Sequence, residues 1–86
     1  MNYMIVDPIL ADFKSKRGAH HVRITYGKEP KGRYPWSVQY CGSGYYFRDL
    51  YAALCYCYGR GFIDRYEIER KEKEILEKMK ESGLHN

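Results

Sequence analysis

The stretch WSVQYCGSGYYF at residues 36–47 decides the fold, because it combines two alternating segments with a glycine-containing turn. Aromatic and aliphatic side chains recur at every second position on both sides of the CGSG segment at 41–44. A period of two is typical of a strand with one buried face. Residues 36–47 therefore predict an antiparallel β-hairpin.

The turn of this hairpin is predicted to be of type II′ at Gly42-Ser43, because glycine at the first central position accepts a positive φ. In that register Tyr40 lies opposite Tyr45. Five side chains then share the face that is predicted to form the core: Trp36, Val38, Tyr40, Tyr45 and Phe47.

The segments before the hairpin predict one helix between further strands. The HVRITY segment at 21–26 alternates like the hairpin and predicts a strand, and residues 3–6 predict another short one. The DP dipeptide at 7–8 is typical of a helix start, since aspartate caps free amide groups and proline is tolerated at the first helical position. A helix from there to Gly18 places three apolar side chains on one side: Ile9, Leu10 and Phe13.

Two helices are predicted after the hairpin. The first runs from residue 50 to about 58 behind an Asp49 cap, and its core-facing stripe is Leu50, Ala53, Leu54 and Cys57. The second opens on the Asp64-x-x-Glu67 spacing of an N-terminal cap and continues to about residue 82. Charged residues at 71–72 interrupt its apolar stripe, which predicts weak docking or a projecting helix that serves as a contact surface.

The predicted fold class is therefore α+β, a three-stranded antiparallel sheet packed against helices in the order (β)αβββαα. The chain forms one domain at 1–86, with a core at about 8–63 and a charged C-terminal helix at about 64–82. The order αβββα over residues 8–58 resembles the double-stranded RNA-binding domain, and the sheet with a helix also resembles the arm-binding domain of tyrosine recombinases. The RNA-binding family's lysine cluster and Gly-Pro-x-His loop are absent at the corresponding positions, so no functional residue is carried over.

Composition favours a small folded protein with an anionic partner. Residues 1–34 hold seven Lys/Arg against three Asp/Glu, so the net charge of +4 is concentrated in the first third of the chain. No apolar run is long enough for a membrane span, and no secretory signal precedes the first strand. Three cysteines suit no disulfide framework, which predicts a cytoplasmic location.

The chemically suggestive residues have simpler interpretations. Cys55 and Cys57 on one helix point about 200° apart and are poor zinc ligands, so no metal and no cofactor is predicted. A nucleophilic pair of Cys41 with His21 is conceivable, but two unrelated surface side chains are preferred because no orienting third residue is evident. The Gly-x-Gly pairs at 42–44 and 59–61 lack the rest of a phosphate-binding motif. An enzyme is therefore not the expected class.

A basic segment with tyrosines is the candidate binding site. Cations suit phosphates or acidic patches, and exposed rings suit bases or protein pockets. The predicted site residues are Arg23, Lys28, Lys31, Arg33, Tyr34, Lys14, Lys16 and Arg17.

Two functions fit this composition. The first is a non-enzymatic inhibitor or adaptor that binds a protein target, including a nucleic-acid-processing complex, with a homodimer through the C-terminal helix as a further possibility. Small phage and mobile-element proteins that block host nucleic-acid machinery, anti-CRISPR proteins among them, are similar in size and composition. The alternative is direct DNA or RNA binding through the 14–34 segment and exposed tyrosines.

Overall fold

The structure is a computed structural model that describes residues 8–18, 20–27 and 33–83. The predicted strand at 3–6 lies outside these residues. Within them the chain forms an antiparallel sheet of four strands in sequence order, followed by two helices. The strands are β1 (Ile9–Lys14), β2 (His21–Tyr26), β3 (Trp36–Tyr40) and β4 (Ser43–Phe47). The α+β class with an antiparallel sheet is confirmed, whereas the three-stranded sheet is wrong.

The first predicted helix is wrong, because β1 occupies its place. The register between β1 and β2 shifts between Ile9 and Ala11, so the strand carries a bulge there. The bulged Leu10 joins the core together with Ala11 and Phe13. Leu10 and Phe13, three residues apart, therefore both face the core, and this is the spacing that an amphipathic helix would show. The αβββα order that resembled the RNA-binding domain disappears with the helix.

The hairpin forms with a different turn. Tyr40 pairs with Ser43, and Val38 pairs with Tyr45, so the turn residues are Cys41 and Gly42. Both have positive φ, 50° and 75°, which is typical of a type I′ turn. Compared with the predicted turn, the pairing of β3 with β4 is displaced by two residues, so that Tyr40 faces Ser43 instead of Tyr45. A displacement by an even number of residues leaves each side chain on its predicted face.

The core lies between one face of the sheet and the helices. The inward side chains of β2 and β3 are completely buried at three positions: Val22, Ile24 and Val38. Trp36 is also 0 % exposed, and its ring packs against Tyr26 with a centroid distance of 4.9 Å. The prediction of inward rings holds for Trp36, whereas Tyr45 faces the helix side but keeps 44 % of its surface exposed.

Helix α1 (Leu50–Gly59) forms where the sequence predicts it and packs into the common core. The Asp49 carboxylate caps it by accepting a hydrogen bond from the Ala52 backbone N–H at 2.8 Å. All four residues of the predicted stripe are buried: Leu50, Ala53, Leu54 and Cys57.

Helix α2 (Glu67–Glu81) begins three residues later than predicted, although Glu67 Oε1 still accepts the Asp64 backbone N–H at 2.8 Å. The prediction of weak docking is wrong, because Ile68, Ile75 and Met79 are buried in the common core. The Lys71 ammonium, which interrupts the stripe in sequence, lies 4.1 Å from the centroid of the Phe13 ring. The long lysine thus covers apolar surface instead of preventing contact.

Candidate binding face

The candidate site is the face of the sheet that points away from the helices, here called the outer face. Val22 points into the core, so its neighbours His21 and Arg23 point outward. Their partners on β1, Lys14 and Asp12, lie on the same side, because directly paired residues share a face. The same alternation on β3 and β4 adds Gln39 and Tyr46 to this face.

One carboxylate organises the charge of this face. Asp12 Oδ1 is in close contact with the Nε2 atom of His21, and Asp12 Oδ2 lies 3.5 Å from Nε of Arg23. All three side chains are exposed to solvent, so these ion pairs contribute little to stability. They hold Arg23 and His21 beside each other at the surface, where both can still meet an incoming acceptor.

A shallow depression of about 410 Å³ opens at the turn end of the outer face. It is lined by His21 and Arg23 on β2 and by Tyr46 on β4. Gln39 lies between them on β3. Gln39 pairs with Gly44, which has no side chain and therefore leaves the floor open. The depression thus combines a guanidinium, an imidazole, an amide and a phenol, all of which can hydrogen-bond to an acidic or polar partner.

A hydrogen-bond network of polar side chains on the outer face adjoins this depression. The hydroxyl groups of Thr25 and Ser37 lie 2.5 Å apart, and Gln39 Nε2 donates to Ser37 Oγ at 3.2 Å. Both hydroxyl residues are buried. This network fixes the amide of Gln39 in the depression before a partner arrives.

The other end of the hairpin carries more cations. Arg48 follows β4, and its guanidinium lies 5.8 Å from the centroid of the Tyr34 ring. Arg33 is exposed beside it, and Tyr34 is 43 % exposed. Arginine over an exposed ring presents charge and aromatic surface together, which is the composition of many interface anchors.

The structure separates the predicted basic residues into two places. Lys14 and Arg23 lie on the outer face, and Arg33 with Tyr34 lies at its far end. Lys16 instead forms an ion pair with Asp64, with Nζ to Oδ2 at 2.7 Å, and the hydrogen bond to this carboxylate raises the pKa of Lys16. Arg17 shares a depression with Lys16 near the end of α1.

Lys28 and Lys31 lie outside the described residues. Sequence reasoning passed over Gln39, Tyr46 and Arg48, although the alternation of the strands already placed Gln39 outward. The predicted register also placed Tyr46 outward, between the inward Tyr45 and Phe47, but the search for a site followed the cations and did not include it.

A second cluster lies on the helix side, around the turn. The Tyr40 ring contacts Phe62 and Tyr45, with centroid distances of 4.7 and 5.9 Å. His20 joins this cluster 5.9 Å from Tyr40, and Cys41 Sγ lies 3.0 Å from Nδ1 of His20. The conceivable pairing of Cys41 with His21 is wrong, because Cys41 contacts His20 and His21 contacts Asp12. Cys41 and His21 are thus unrelated side chains, as the preferred interpretation had it.

Comparison with protein-family models, with curated proteins and with solved structures finds no match for the chain. The interpretation of the outer face therefore depends on its own residues.

Two further features of the described residues bear on ligands. In the described ranges, no group of three or more His, Cys, Asp or Glu side chains is arranged to hold a metal ion. Over the same ranges, neither helix has the length and apolar character that crossing a membrane requires.

Proposed function

We propose that this chain is a non-enzymatic binding protein, an inhibitor or adaptor, that engages an acidic surface of a macromolecular target through the outer face. The observation that carries the proposal is the depression in which Arg23 and Tyr46 stand on either side of Gln39. Arginine and tyrosine are the side chains most often found at the energetic centres of protein interfaces.

The charge distribution supports an acidic target. Over the described residues, the outer face and the adjoining end of the hairpin carry four cations against two carboxylates, those of Asp12 and of Asp49, which caps α1. The cations are Lys14, Arg23, Arg33 and Arg48. Helix α2, on the opposite layer, instead mixes acidic and basic residues almost equally. Such asymmetry steers a partner of opposite charge to one side of the molecule and raises the rate of association.

The aromatic side chains of the same face support a contact that buries surface. Tyr46 is 49 % exposed on an open sheet, and a tyrosine ring presents a large contact area with only two rotatable side-chain bonds. A target that covers Tyr46 would desolvate Arg23 beside it, which strengthens an ion pair with a partner carboxylate that is well placed.

Single-stranded nucleic acid is the second candidate, because Tyr46 and Arg23 also match the chemistry of a base-stacking platform. On such platforms a base stacks on an exposed ring while a neighbouring cation meets the phosphate. Binding of this kind weakens steeply as salt concentration rises from about 50 to about 200 mM.

A pair of matched double variants tests the proposal. Arg23→Gln/Arg48→Gln removes two charges from the outer face and the end of its hairpin, and Lys73→Gln/Lys80→Gln removes two exposed charges from α2. Each variant and the wild type are immobilised and exposed to a nuclease-treated lysate of the source cells, and retained proteins are quantified. We expect a retained protein set that the first variant loses and the second keeps.

Two other results bear on the choice of partner. If retention requires omission of the nuclease, and a labelled 20-nucleotide oligouridylate or oligodeoxythymidylate competes for it, the second candidate is correct. If both double variants retain the same material as the wild type, the outer face is not the binding site and the proposal is wrong.

A further inference from the structure

The hairpin turn brings an exposed thiol into contact with a fixed imidazole. Cys41 Sγ and His20 Nδ1 share a hydrogen bond at 3.0 Å. Cys41 lies at the end of the sheet, so its sulfur meets His20 on the helix side while the residue also lines the depression of the outer face. The thiol is exposed to solvent. The pair therefore combines a nucleophile, a proton acceptor and access for a small molecule.

The imidazole is held in place by its surroundings. The His20 backbone N–H donates to Ser15 Oγ at 2.8 Å, and the Ser15 N–H donates to the His20 carbonyl oxygen at 2.7 Å. The ring packs against Tyr40 and Phe62, with centroid distances of 5.9 and 6.0 Å. On its far side, Nε2 lies over Gly18, where a Cβ would come within 2.9 Å of it. These contacts keep Nδ1 directed at Cys41.

The backbone at Cys41 is unusual for this residue type. Its φ of 50° lies in the left-handed region, and no other described residue except glycine has a positive φ. This conformation is unfavourable for an ordinary L-residue, and glycine, asparagine or aspartate normally occupies such a turn position. An outlier of this kind at a chemically active side chain is a reason to look for a function of that side chain.

We propose that Cys41 and His20 form a reactive thiol site that undergoes exchange with small anionic disulfides of the glutathione type. In the exchange, the Cys41 thiol transfers its proton to Nδ1 of His20 and its sulfur attacks one sulfur of the disulfide. A mixed disulfide with Cys41 forms, and the second half leaves as a thiolate that takes up a proton. The two electrons of the broken S–S bond go to the leaving thiolate, so no further oxidant is required.

The depression beside Cys41 explains the preference for an anionic disulfide. Arg23 and His21 line it together with Cys41, and the Arg23 guanidinium can pair with a carboxylate of the incoming molecule. The adduct would then occupy the same depression that the outer face offers to a target.

The chain contains its own controls in the other two cysteines. Cys55 is exposed on α1, and no imidazole contact of the kind seen at Cys41 is found for it among the described residues. Cys57 is completely buried, and loss of solvation raises the pKa of its thiol to about 12, which keeps it protonated and unreactive. A reagent that merely follows exposure would modify Cys41 and Cys55 equally.

The experiment measures modification of each cysteine in the full chain at about pH 7 with glutathione disulfide, by mass spectrometry of peptides after quenching. We expect Cys41 to react about 10-fold faster than Cys55. His20→Phe keeps a ring against Tyr40 and Phe62 but has no nitrogen, and it should reduce the Cys41 rate to that of Cys55. Arg23→Gln should slow glutathione disulfide but not the uncharged hydroxyethyl disulfide.

The proposal is overturned if, in the wild type, glutathione disulfide modifies Cys41 no faster than Cys55. It is also overturned by a Cys41 advantage that persists unchanged in a His20→Phe protein whose Cys57 remains protected. If His20→Phe exposes Cys57 and so fails to fold, His20→Gln replaces it, with the same two outcomes. Equal effects of Arg23→Gln on both disulfides would exclude the anionic preference.

Discussion

The hydroxyl groups of Tyr40 and Tyr56 lie 2.8 Å apart, so one hydrogen bond joins the last residue of β3 to the middle of α1. The bond lies at the edge of the core, where the Tyr56 ring also contacts Tyr45 and Phe47 at centroid distances of 5.4 and 5.2 Å. It therefore fixes the turn end of the hairpin, and with it the depression of the outer face, against the helix layer.

A double-mutant cycle measures this bond. Tyr40→Phe and Tyr56→Phe each remove one hydroxyl, and the coupling between them should be about 0.5–1.5 kcal/mol in the free energy of unfolding in urea. Tyr58→Phe removes an exposed hydroxyl from the same helix and should change stability by less than about 0.5 kcal/mol. Strictly additive effects of the first two variants would show that the hydroxyl groups do not interact in solution.

Glycine at position 18 is required by both its backbone and its neighbour. Gly18 has a φ of +79°, and a Cβ there would lie 2.9 Å from Nε2 of His20. We expect Gly18→Ala to lower the free energy of unfolding by more than about 1 kcal/mol, since an L-residue is strained in this region even without a clash.

The matched control for this substitution is Gly59→Ala at the end of α1. A Cβ at Gly59 meets no atom within 4 Å, and its φ is not positive. Replacing glycine by alanine in a helix is neutral or stabilising by up to about 1 kcal/mol. Thermal unfolding of both variants checks the contrast, and equal shifts would mean that the Gly18–His20 contact is absent.

The buried Cys57 thiol makes stability depend on alkaline pH. Loss of solvation raises its pKa from 9.0 to about 12, and only the nearby charge of Lys71 acts in the opposite direction. The folded state holds this proton more tightly than the unfolded state. The stabilisation that the protonated Cys57 thiol gives to the folded state is therefore complete below pH 9, and it is lost as the pH rises towards 12.

At about pH 10.5 the thiol alone should therefore reduce the free energy of unfolding by about 2 kcal/mol relative to pH 8. Cys57→Ala should remove that share of the pH dependence, and Cys55→Ala should leave it unchanged, because Cys55 is exposed. Urea unfolding at the two pH values tests the claim. A decrease in the Cys57→Ala protein equal to that of the wild type would contradict it.

Tyr56 adds a second alkaline effect. Burial, and then the hydrogen bond with Tyr40, raises the pKa of Tyr56 to about 12, so some decrease in the free energy of unfolding is expected in every variant.

For the hairpin, the sequence predicts the buried faces of the strands but not the turn that joins them. Alternation determined the faces of Trp36 and Val38, because burial selects every second side chain. It did not determine the turn, since Cys41-Gly42 and Gly42-Ser43 both preserve those faces. The sequence CGSG offers glycine to either turn, and in the observed register Tyr45 packs against Tyr40 and Tyr56.

The first strand could not be predicted for a different reason. Its bulge turns Leu10 to the same side as Ala11 and Phe13, which produces a helical spacing within a strand. A bulge is set by pairing with β2, and that long-range contact leaves no sign in a local window. The same holds for the Cys41–His20 contact, because the residues are 21 positions apart and meet only when the turn folds back beside β2.

For the candidate site, the sequence identified Lys14, Arg23, Arg33 and Tyr34 but grouped them with Lys16 and Arg17. Charge alone does not show where a cation lies, and the ion pair of Lys16 with Asp64, 48 positions away in sequence, places Lys16 off the outer face. The outer face is defined by strand pairing, which composition does not contain.

Hydroxyl-radical footprinting of the tyrosines in the captured complex tests the binding role of the outer face most directly. Tyr46 is 49 % exposed on that face, and Tyr66 is 70 % exposed before α2. We expect the target to reduce oxidation of Tyr46 several-fold and to leave Tyr66 unchanged, because a contacted ring loses its access to solvent. Protection of Tyr66 with Tyr46 still oxidised at the rate of the free chain would contradict the account.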